Sequence, residues 1–296
     1  MATENNTPAP AVTLSFPAPL NLRDCFERTP PVLDFVLPGF LAGTVGGLVS
    51  PGGVGKSWLS LEMGATVAGN AGFDMLDLNV LGRGRVAVFA GEDPPPALHH
   101  RLHAIGAYMT EAVREAIYEK LTIYPAIGAN VSLDSLLWQE ALERSLEGHR
   151  LAFIDTLTRF HSLDENKASE AKIIMSALEA IAAKTGCAIC FLHHVSKASA
   201  LAGLTELQQA ARGSSVFVDN ARWLSFVAGM SADEAKAYGI NDDSRKNYIR
   251  WNISKQNYGP PRPDSWFIRG EHGVLNPVKL VELKPKEKKS KGSCHD

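Results

Sequence analysis

The 296-residue sequence has few cysteines, no long apolar run and almost no excess charge. Its four cysteines lack the spacing of a disulfide framework, which suits a reducing compartment. The start of the chain shows no basic segment followed by an apolar one, so no signal peptide is predicted. Since no apolar run reaches the roughly 18 residues of a membrane span, we expect a cytoplasmic protein without a membrane partner.

The net charge of −2 produces no global basic field. A polyanion would therefore have to bind where lysine and arginine are locally concentrated. A chain of this length can bury about three quarters of its unfolded surface, so it needs no disulfide bonds or structural metal ions to be stable. We predict one large domain at residues 31–280, preceded by a flexible arm at 1–30 that is rich in Pro, Ala, Thr and Asn, and followed by a basic flexible tail at 281–296.

Cys187 and Cys190, followed by His193 and His194, raise the question of a zinc site. They fall in an apolar run typical of a buried strand, in which residues three apart face opposite sides. Zinc needs four converging ligands, so the pattern favours a buried strand over a metal site.

The stretch Ser-Pro-Gly-Gly-Val-Gly-Lys-Ser at residues 50–57 lies between a short apolar run and a segment with apolar residues at helical spacing. Strand, glycine-rich turn and helix form the setting of a P-loop. Glycines let backbone N–H groups turn toward phosphate oxygens, and the helix N-terminus adds its positive end. The expected nucleotide-binding residues are Pro51, Gly52, Gly53, Val54, Gly55, Lys56, Ser57 and Trp58.

Within this loop, we expect Lys56 to reach the β- and γ-phosphates of ATP and the Ser57 hydroxyl to hold Mg²⁺. Ser50 stands where the pattern has its first glycine, and a small serine there predicts a slightly altered turn with an intact site. The alternative is a glycine turn that merely joins strand to helix. The Gly-Lys-Ser ending in this setting disfavours it.

Strands alternate with helices along most of the chain, and a run of strands follows. The predicted strands are 44–49, 84–91, 121–124, 151–155 and 187–192, the helices 58–68, 96–109, 132–147 and 172–184, and the late strands 222–228, 247–254 and 265–269, joined by short connections. This order predicts an α/β fold with a mostly parallel, doubly wound sheet and an antiparallel C-terminal extension. Ligands of such sheets bind at the carboxyl ends of the strands, which collects Lys56, Ser57, Glu92, Asp155 and His194 at one edge.

Two carboxylates at that edge suit the chemistry of ATP hydrolysis. Asp155 closes an apolar strand and fits the acid that holds Mg²⁺, the alternative being a helix N-cap. Glu92 ends the neighbouring strand and can orient and deprotonate a water that attacks the γ-phosphate. Asp93 competes for this role, but we predict that it caps the helix that begins near Pro95.

Two further side chains are candidates for contact with phosphate. Arg101 lies about two helical turns beyond Glu92, and the sequence does not decide between a phosphate contact and one cation on an amphipathic helix. His194 follows the fifth strand, where its imidazole can hydrogen-bond the γ-phosphate and report its loss. His193 alternates to the other face, so at most one of the pair can serve.

At these residues the chain resembles the RecA/DnaB-like P-loop motor ATPases, and among them the RepA-type hexameric replicative helicases of mobilisable broad-host-range plasmids. The resemblance runs from about residue 31 to 273, with its motifs in one order. They include the P-loop, Glu-Asp-Pro-Pro at 92–95, Ile-Asp-Thr-Leu-Thr-Arg-Phe-His at 154–161, Phe-Leu-His-His at 191–194, Arg-Gly-Ser-Ser-Val-Phe-Val-Asp-Asn-Ala-Arg-Trp at 212–223 and Ser-Lys-Gln-Asn-Tyr-Gly at 254–259.

The resemblance implies a RecA-like core that binds ATP and Mg²⁺, assembles as a hexameric homo-oligomer and moves along single-stranded DNA to unwind plasmid duplex. It assigns catalytic roles to Glu92, His194 and Arg101. It also implies an origin-binding initiator and a primase as partners, although only about 30 arm residues stand where larger replicative helicases carry a primase-binding domain. The alternative from another class is a RecA-like switch or scaffold in recombination, repair or regulation that does not unwind DNA.

The resemblance makes Arg222 an arginine finger offered to the neighbouring subunit. Related motors often carry a Lys-x-Arg pair on a late strand, whereas here Lys255 is followed by Gln256 and Asn257. Lys255 is thus a candidate nucleotide contact across the interface, and the arginine role shifts to Arg222. The alternative for Arg222 is a salt-bridged sheet residue. Loops 159–167 and 197–212 are expected to line the channel for DNA, or else to be ordinary solvated loops.

Overall fold

The computed structural model of the protein describes residues 16–195 and 215–283. The predicted channel loop 197–212, with Lys197 and Arg212, and all but the first three residues of the predicted tail lie outside them. Contacts divide the chain into two units, Met1–Leu33 and Asp34–Asp296. In the first unit, the helix Leu22–Glu27 (α1) begins at Asn21, whose side chain accepts the N–H groups of Arg23 and Asp24.

Within the described residues, the second unit contains a nine-stranded sheet in the order β11-β10-β9-β8-β3-β7-β6-β4-β5. A separate antiparallel pair, Phe35–Leu37 (β1) and Phe40–Leu41 (β2), precedes it. The nine strands are Val45–Ser50 (β3), Arg85–Ala90 (β4), Leu121–Pro125 (β5), His149–Asp155 (β6), Ala188–His194 (β7), Trp223–Gly229 (β8), Tyr248–Gln256 (β9), Ser265–Arg269 (β10) and Leu275–Val278 (β11).

Six neighbouring strands, β8 to β5 in that order, run parallel, and β9, β10 and β11 add antiparallel pairs beyond β8. The predicted fold class, a mostly parallel sheet with an antiparallel C-terminal extension, is confirmed. Within residues 34–195 and 215–283, the helices are Lys56–Ala68 (α2), Pro95–Gly106 (α3), Glu111–Tyr118 (α4), Leu136–Leu146 (α5), Ala168–Thr185 (α6), Ser215–Asn220 (α7) and Ala232–Tyr238 (α8). No helix among the described residues is long and apolar enough to cross a membrane.

Helices cover both faces of the parallel strands, which makes the sheet doubly wound. Apolar residues of α2, α3 and α4 pack on one face, and those of α5, α6 and α7 pack on the other. Cys187 lies in the second of these cores and Cys190 in the first, so the two thiols point to opposite faces as the strand pattern predicts. Burial raises the pKa of the Cys187 thiol to about 12.

Several predictions about elements are wrong in detail. The helix predicted from residue 132 begins only at Leu136, after Ser135. The connection from β8 to β9 is not short, because it contains α8, with a capping box of Ser231 and Glu234, and a 3₁₀ turn. The helix α4 and the last strand β11 were not predicted at all, since α4 is short and β11 contains Pro277, a residue found only in edge strands.

The strand order places β7 between β3, which leads into the P-loop, and β6, which ends at Asp155. All six residues of β3 are buried, so its register against β7 is set on both faces. Ser50 pairs with His194 at the end of this ladder. The last residue of β7 therefore stands between the phosphate-binding loop and the buried acid.

Candidate nucleotide site

The P-loop follows β3 with two glycines in the left-handed region. Gly53 has a φ of 76° and Gly55 a φ of 118°, conformations that L side chains rarely adopt. Gly55 is the N-cap residue of α2 and has no side chain that could accept a hydrogen bond. The first N–H groups of the helix therefore point into the loop without a side-chain acceptor from the cap. This is the arrangement that binds phosphate at a helix N-terminus.

Lys56 is 5% exposed and its ammonium turns back into the loop. Its Nζ lies 3.0 Å from Ser50 Oγ and 3.0 Å from His194 Nδ1. Ser50, which replaces the first glycine of the pattern, also donates its hydroxyl to Pro51 O at 2.7 Å. Burial lowers the pKa of Lys56 to about 8, against the opposing effect of the Asp155 and Glu92 charges.

Asp155 ends β6 facing the first turn of α2. It is 4% exposed and accepts a hydrogen bond from the Ser57 hydroxyl, while its Oδ1 has no hydrogen-bond partner among the described residues. Burial raises the pKa of Asp155 to about 6, and the Ser57 hydrogen bond opposes this shift. Thr156, not Asp155, is the cap of the 3₁₀ turn that follows, so the alternative interpretation of Asp155 as an N-cap is wrong.

Glu92 follows β4 and contacts residues at the ends of β6 and β7. The Thr156 hydroxyl donates to Glu92 Oε1 at 2.9 Å, and His194 Nε2 lies 3.6 Å from the same oxygen. His194 thus stands between the Lys56 ammonium and the Glu92 carboxylate, with one ring nitrogen toward each. Burial, and next the Lys56 charge, lower the pKa of His194, which favours the neutral imidazole.

Arg101 lines the same pocket as the P-loop. Its Nη1 lies 2.5 Å from Asp93 Oδ2 and its Nη2 donates to Asp93 Oδ1 at 3.1 Å, and its guanidinium stacks 5.7 Å from the centre of the Trp58 ring. The predicted helix cap at Asp93 is wrong, because α3 is capped by Pro94 and Asp93 instead orients Arg101. The Asp93 carboxylate, in the loop before α3, instead points along the helix to Arg101. Sequence spacing alone does not show this direction.

The pocket around these residues has a volume of about 910 Å³, and its far wall was not predicted. That wall comes from the ends of β8, β9 and β10 and contributes Met230, Arg245, Lys246, Tyr248 and Arg269. Topology is the missing signal. In an antiparallel extension every second strand ends at the phosphate edge, so the carboxyl end of β10 returns to the P-loop.

Arg222 and Lys255 do not reach this pocket. Arg222 is exposed before β8, and its N–H donates to Val45 O, 2.9 Å away, at the start of β3. Lys255 lies near the other end of β9 from the pocket, with its Nζ 2.7 Å from Asp219 O. The two cations are close enough for the Arg222 charge to help burial lower the pKa of Lys255. Both therefore stand at the edge opposite their own P-loop.

His193 points to the other face from His194, as the strand pattern predicts. It is 4% exposed, packs against Phe217 with ring centres 5.6 Å apart, and has its Nδ1 3.8 Å from Glu165 Oε2. Glu165 also accepts hydrogen bonds from Thr158 and His161, both at 3.0 Å. This carboxylate connects the loop after β6 to the end of β7.

The residues present suit a magnesium nucleotide. Mg²⁺ prefers oxygen ligands and keeps several waters, and the Ser57 hydroxyl with the free Asp155 Oδ1 supplies such ligands beside the P-loop. In the described chain, no three His, Cys, Asp or Glu side chains converge to hold a metal by themselves.

Solved structures similar to this chain share one fold. The RadB recombinase has a TM-score of 0.53 at 14% identity, over 81% of this chain and 93% of its own. A DnaB-like replicative helicase, solved with its interactions with primase, has a TM-score of 0.56 at 15% identity, over 87% of this chain and 67% of its own. At these identities the likeness shows the fold alone, which is RecA-like.

The sequence pattern of one domain family matches the chain directly. That pattern is the AAA domain, and it matches residues 11–200, which include the P-loop, Glu92, Asp155 and His194. The match extends over more than half of the sequence, and its residues form the phosphate-binding edge described above. The chain therefore belongs to the AAA domain family of P-loop ATPases.

Proposed function

We propose that the protein is an ATP-dependent, ring-shaped replicative DNA helicase that translocates on single-stranded DNA and unwinds plasmid duplex. The observation that carries the proposal is the continuous line Lys56–His194–Glu92–Thr156 at one sheet edge. A carboxylate held this way beside a P-loop favours turnover over mere binding. The similarity in fold to a protein named as a DnaB-like replicative helicase supports the choice of class.

In the proposed reaction, Lys56 leaves Ser50 and His194 to bind the β- and γ-phosphates of ATP. Ser57 and Asp155 would hold Mg²⁺, which neutralises charge on the phosphate oxygens when bound. Glu92 accepts the proton of the attacking water. The Thr156 hydroxyl occupies one lone pair of Glu92 Oε1 and so fixes the carboxylate, leaving Oε2 to face the water.

His194 is proposed as the sensor of the γ-phosphate. Before nucleotide binds, its Nδ1 contacts Lys56; once Lys56 turns to phosphate, the ring is released toward the γ-phosphate. The neighbouring His193 contacts Glu165, a residue of the loop 159–167 whose carboxylate also accepts hydrogen bonds from Thr158 and His161. A structural change at the end of β7 on loss of phosphate can thus be transmitted to the loop 159–167. We propose that this loop faces DNA in the channel of the ring.

The position of the cations supports a ring. Arg101 supplies a cation in the chain's own pocket, whereas Arg222 and Lys255 lie at the opposite edge of the sheet. We propose that both act on the nucleotide of a neighbouring subunit in a hexameric homo-oligomer. An arginine finger of this kind contributes about 10³- to 10⁵-fold in rate in comparable systems.

ATP hydrolysis and strand separation, measured side by side, test the proposal. We expect single-stranded DNA to stimulate phosphate release and a forked duplex to be unwound when ATP and Mg²⁺ are present, with native mass measurement showing a hexamer. If DNA does not change the rate of hydrolysis, and forks of neither polarity are unwound, the protein is instead a RecA-like switch or scaffold.

A further inference from the structure

Arg269, the last residue of β10, reaches from the antiparallel extension into the P-loop. Its Nη2 donates to the backbone oxygen of Val54 at 2.5 Å. It also lines the nucleotide pocket, and a Cβ added at Gly55 would lie 3.0 Å from the same Nη2. The guanidinium is therefore packed against the two loop residues that precede Lys56.

A buried carboxylate of α2 lies close enough to Arg269 for their charges to interact. Glu62, in the second turn of α2, is 0% exposed, and its Oε1 accepts the N–H of Leu275 at 2.9 Å. Its Oε2 has no hydrogen-bond partner in the described part of the chain. Burial raises the pKa of Glu62 to about 8, while the Leu275 N–H and the charge of Arg269 oppose that rise.

Glu62 and Arg269 affect each other's ionisation. Burial lowers the pKa of Arg269, and the Glu62 charge opposes this shift. With a pKa of about 8, however, the Glu62 carboxyl is mostly protonated at neutral pH. The contact that fixes the guanidinium is therefore its hydrogen bond to Val54.

We propose that Arg269 is a positioning residue for nucleotide binding: it fixes the carbonyl of Val54 and so orients the phosphate-binding N–H groups of the P-loop. The inference rests on nucleotide binding at the proposed site but not on DNA unwinding. It gives the antiparallel extension a role in the ATP site, because β10 and β11 carry the two groups that meet Glu62 and Val54.

The test compares Arg269→Gln with Arg262→Gln. Arg262 is a matched control, since it also donates from a late loop to one backbone carbonyl, that of Leu78 at 3.1 Å, but away from the P-loop. In nucleotide-free protein, we expect Arg269→Gln to speed amide exchange of residues 51–58 severalfold, and to weaken binding of Mg-ADP by about tenfold or more. Arg262→Gln should leave both unchanged.

Arg269→Lys keeps a donor and the charge but not the fork, so its Mg-ADP affinity should fall between the parent and Arg269→Gln. This variant also serves if Arg269→Gln folds poorly. Unchanged exchange and affinity in both variants would overturn the proposal. Weaker binding with unchanged exchange in the nucleotide-free protein would also overturn it, because Arg269 would then contact the nucleotide directly. These readouts need no DNA, so a failure to unwind duplex leaves them interpretable.

Discussion

Glu92 is exposed at the mouth of the pocket, yet its carboxylate is oriented by two neighbouring strand ends. Glu92→Gln keeps the shape and the oxygen that accepts from Thr156 but removes the proton acceptor. We expect Mg-ATP affinity to be retained and phosphate release to fall by about 10² to 10⁴. The control is Glu140→Gln, an exposed residue of α5 that pairs with Arg144 away from the pocket. Hydrolysis by Glu92→Gln within about threefold of the parent would mean that another residue is the base.

The pKa values of Lys56 and Asp155 predict how nucleotide affinity depends on pH. Lys56 must be charged to bind phosphate, and its pKa is about 8 before binding. Affinity for Mg-ADP should therefore fall as pH rises through 8, by up to about tenfold per unit above it, and binding there should take up a proton. Asp155 must be ionised to hold Mg²⁺, and its pKa is about 6, so affinity should also fall as pH drops below 6.

Titration calorimetry from pH 5 to pH 9, in buffers with different ionisation enthalpies, measures both the affinity and the proton uptake. Lys56→Met removes the upper titration and serves as the control. A flat affinity between pH 7 and pH 9 would show that Lys56 keeps an ordinary pKa in the nucleotide-free protein.

The end of β4 packs so closely against the turn after β6 that no room is left for a side chain at Gly91. A Cβ on Gly91 would lie 2.8 Å from Arg159 Cβ and 2.9 Å from Phe160 Cε2, and Gly91 N donates to Asp155 O at 2.5 Å. Gly91→Ala should therefore lower the free energy of unfolding by about 1 to 3 kcal/mol. Because Glu92 is the next residue, hydrolysis should fall more than Mg-ADP affinity.

Gly106 offers a matched control at the end of α3. A Cβ there would meet nothing within 4 Å, and the residue is helical. Gly106→Ala should be neutral or stabilise by about 0.5 to 1 kcal/mol. Urea unfolding of both variants checks the pair, and equal stabilities would contradict the close packing at Gly91.

At the scale of the whole molecule, Arg222 is separated from its own P-loop by the length of β3. Its N–H bonds Val45, and the six residues of β3 extend about 16 to 20 Å from there to Ser50. This distance supports the proposal that Arg222 serves the site of another subunit. Arg222→Ala and Lys56→Ala assemblies should each be nearly inactive, whereas rings mixed from both should regain part of the ATPase activity.

The mixed rings are measured by phosphate release after native mass measurement has confirmed mixing. Arg222→Lys should restore little, because a point charge does not reproduce the planar two-donor fork. If confirmed mixed rings recover nothing and Arg222→Ala alone hydrolyses ATP normally, Arg222 is structural. The finger would then be sought at Lys255 or at Arg212, which lies outside the described residues.

The sequence by itself determined the class of fold and which side chains lie at the carboxyl ends of the parallel strands. The P-loop spacing, the apolar runs of β3, β4, β6 and β7 and the acid closing β6 are local patterns, and they place the phosphate-binding side chains once parallel strands are assumed. The alternation of His193 and His194 followed from strand geometry alone. Local spacing suffices for these features because backbone period and strand direction decide them.

Only the tertiary structure decided which distant groups meet. Lys56 contacts His194 across 138 positions of sequence, and Arg269 contacts Val54 across 215. Such contacts depend on the order of strands in the sheet and on the direction in which each strand of the extension returns. No local pattern carries that order, so the far wall of the pocket, the Asp93–Arg101 pair and the support of the P-loop by β10 emerged only once the chain was folded.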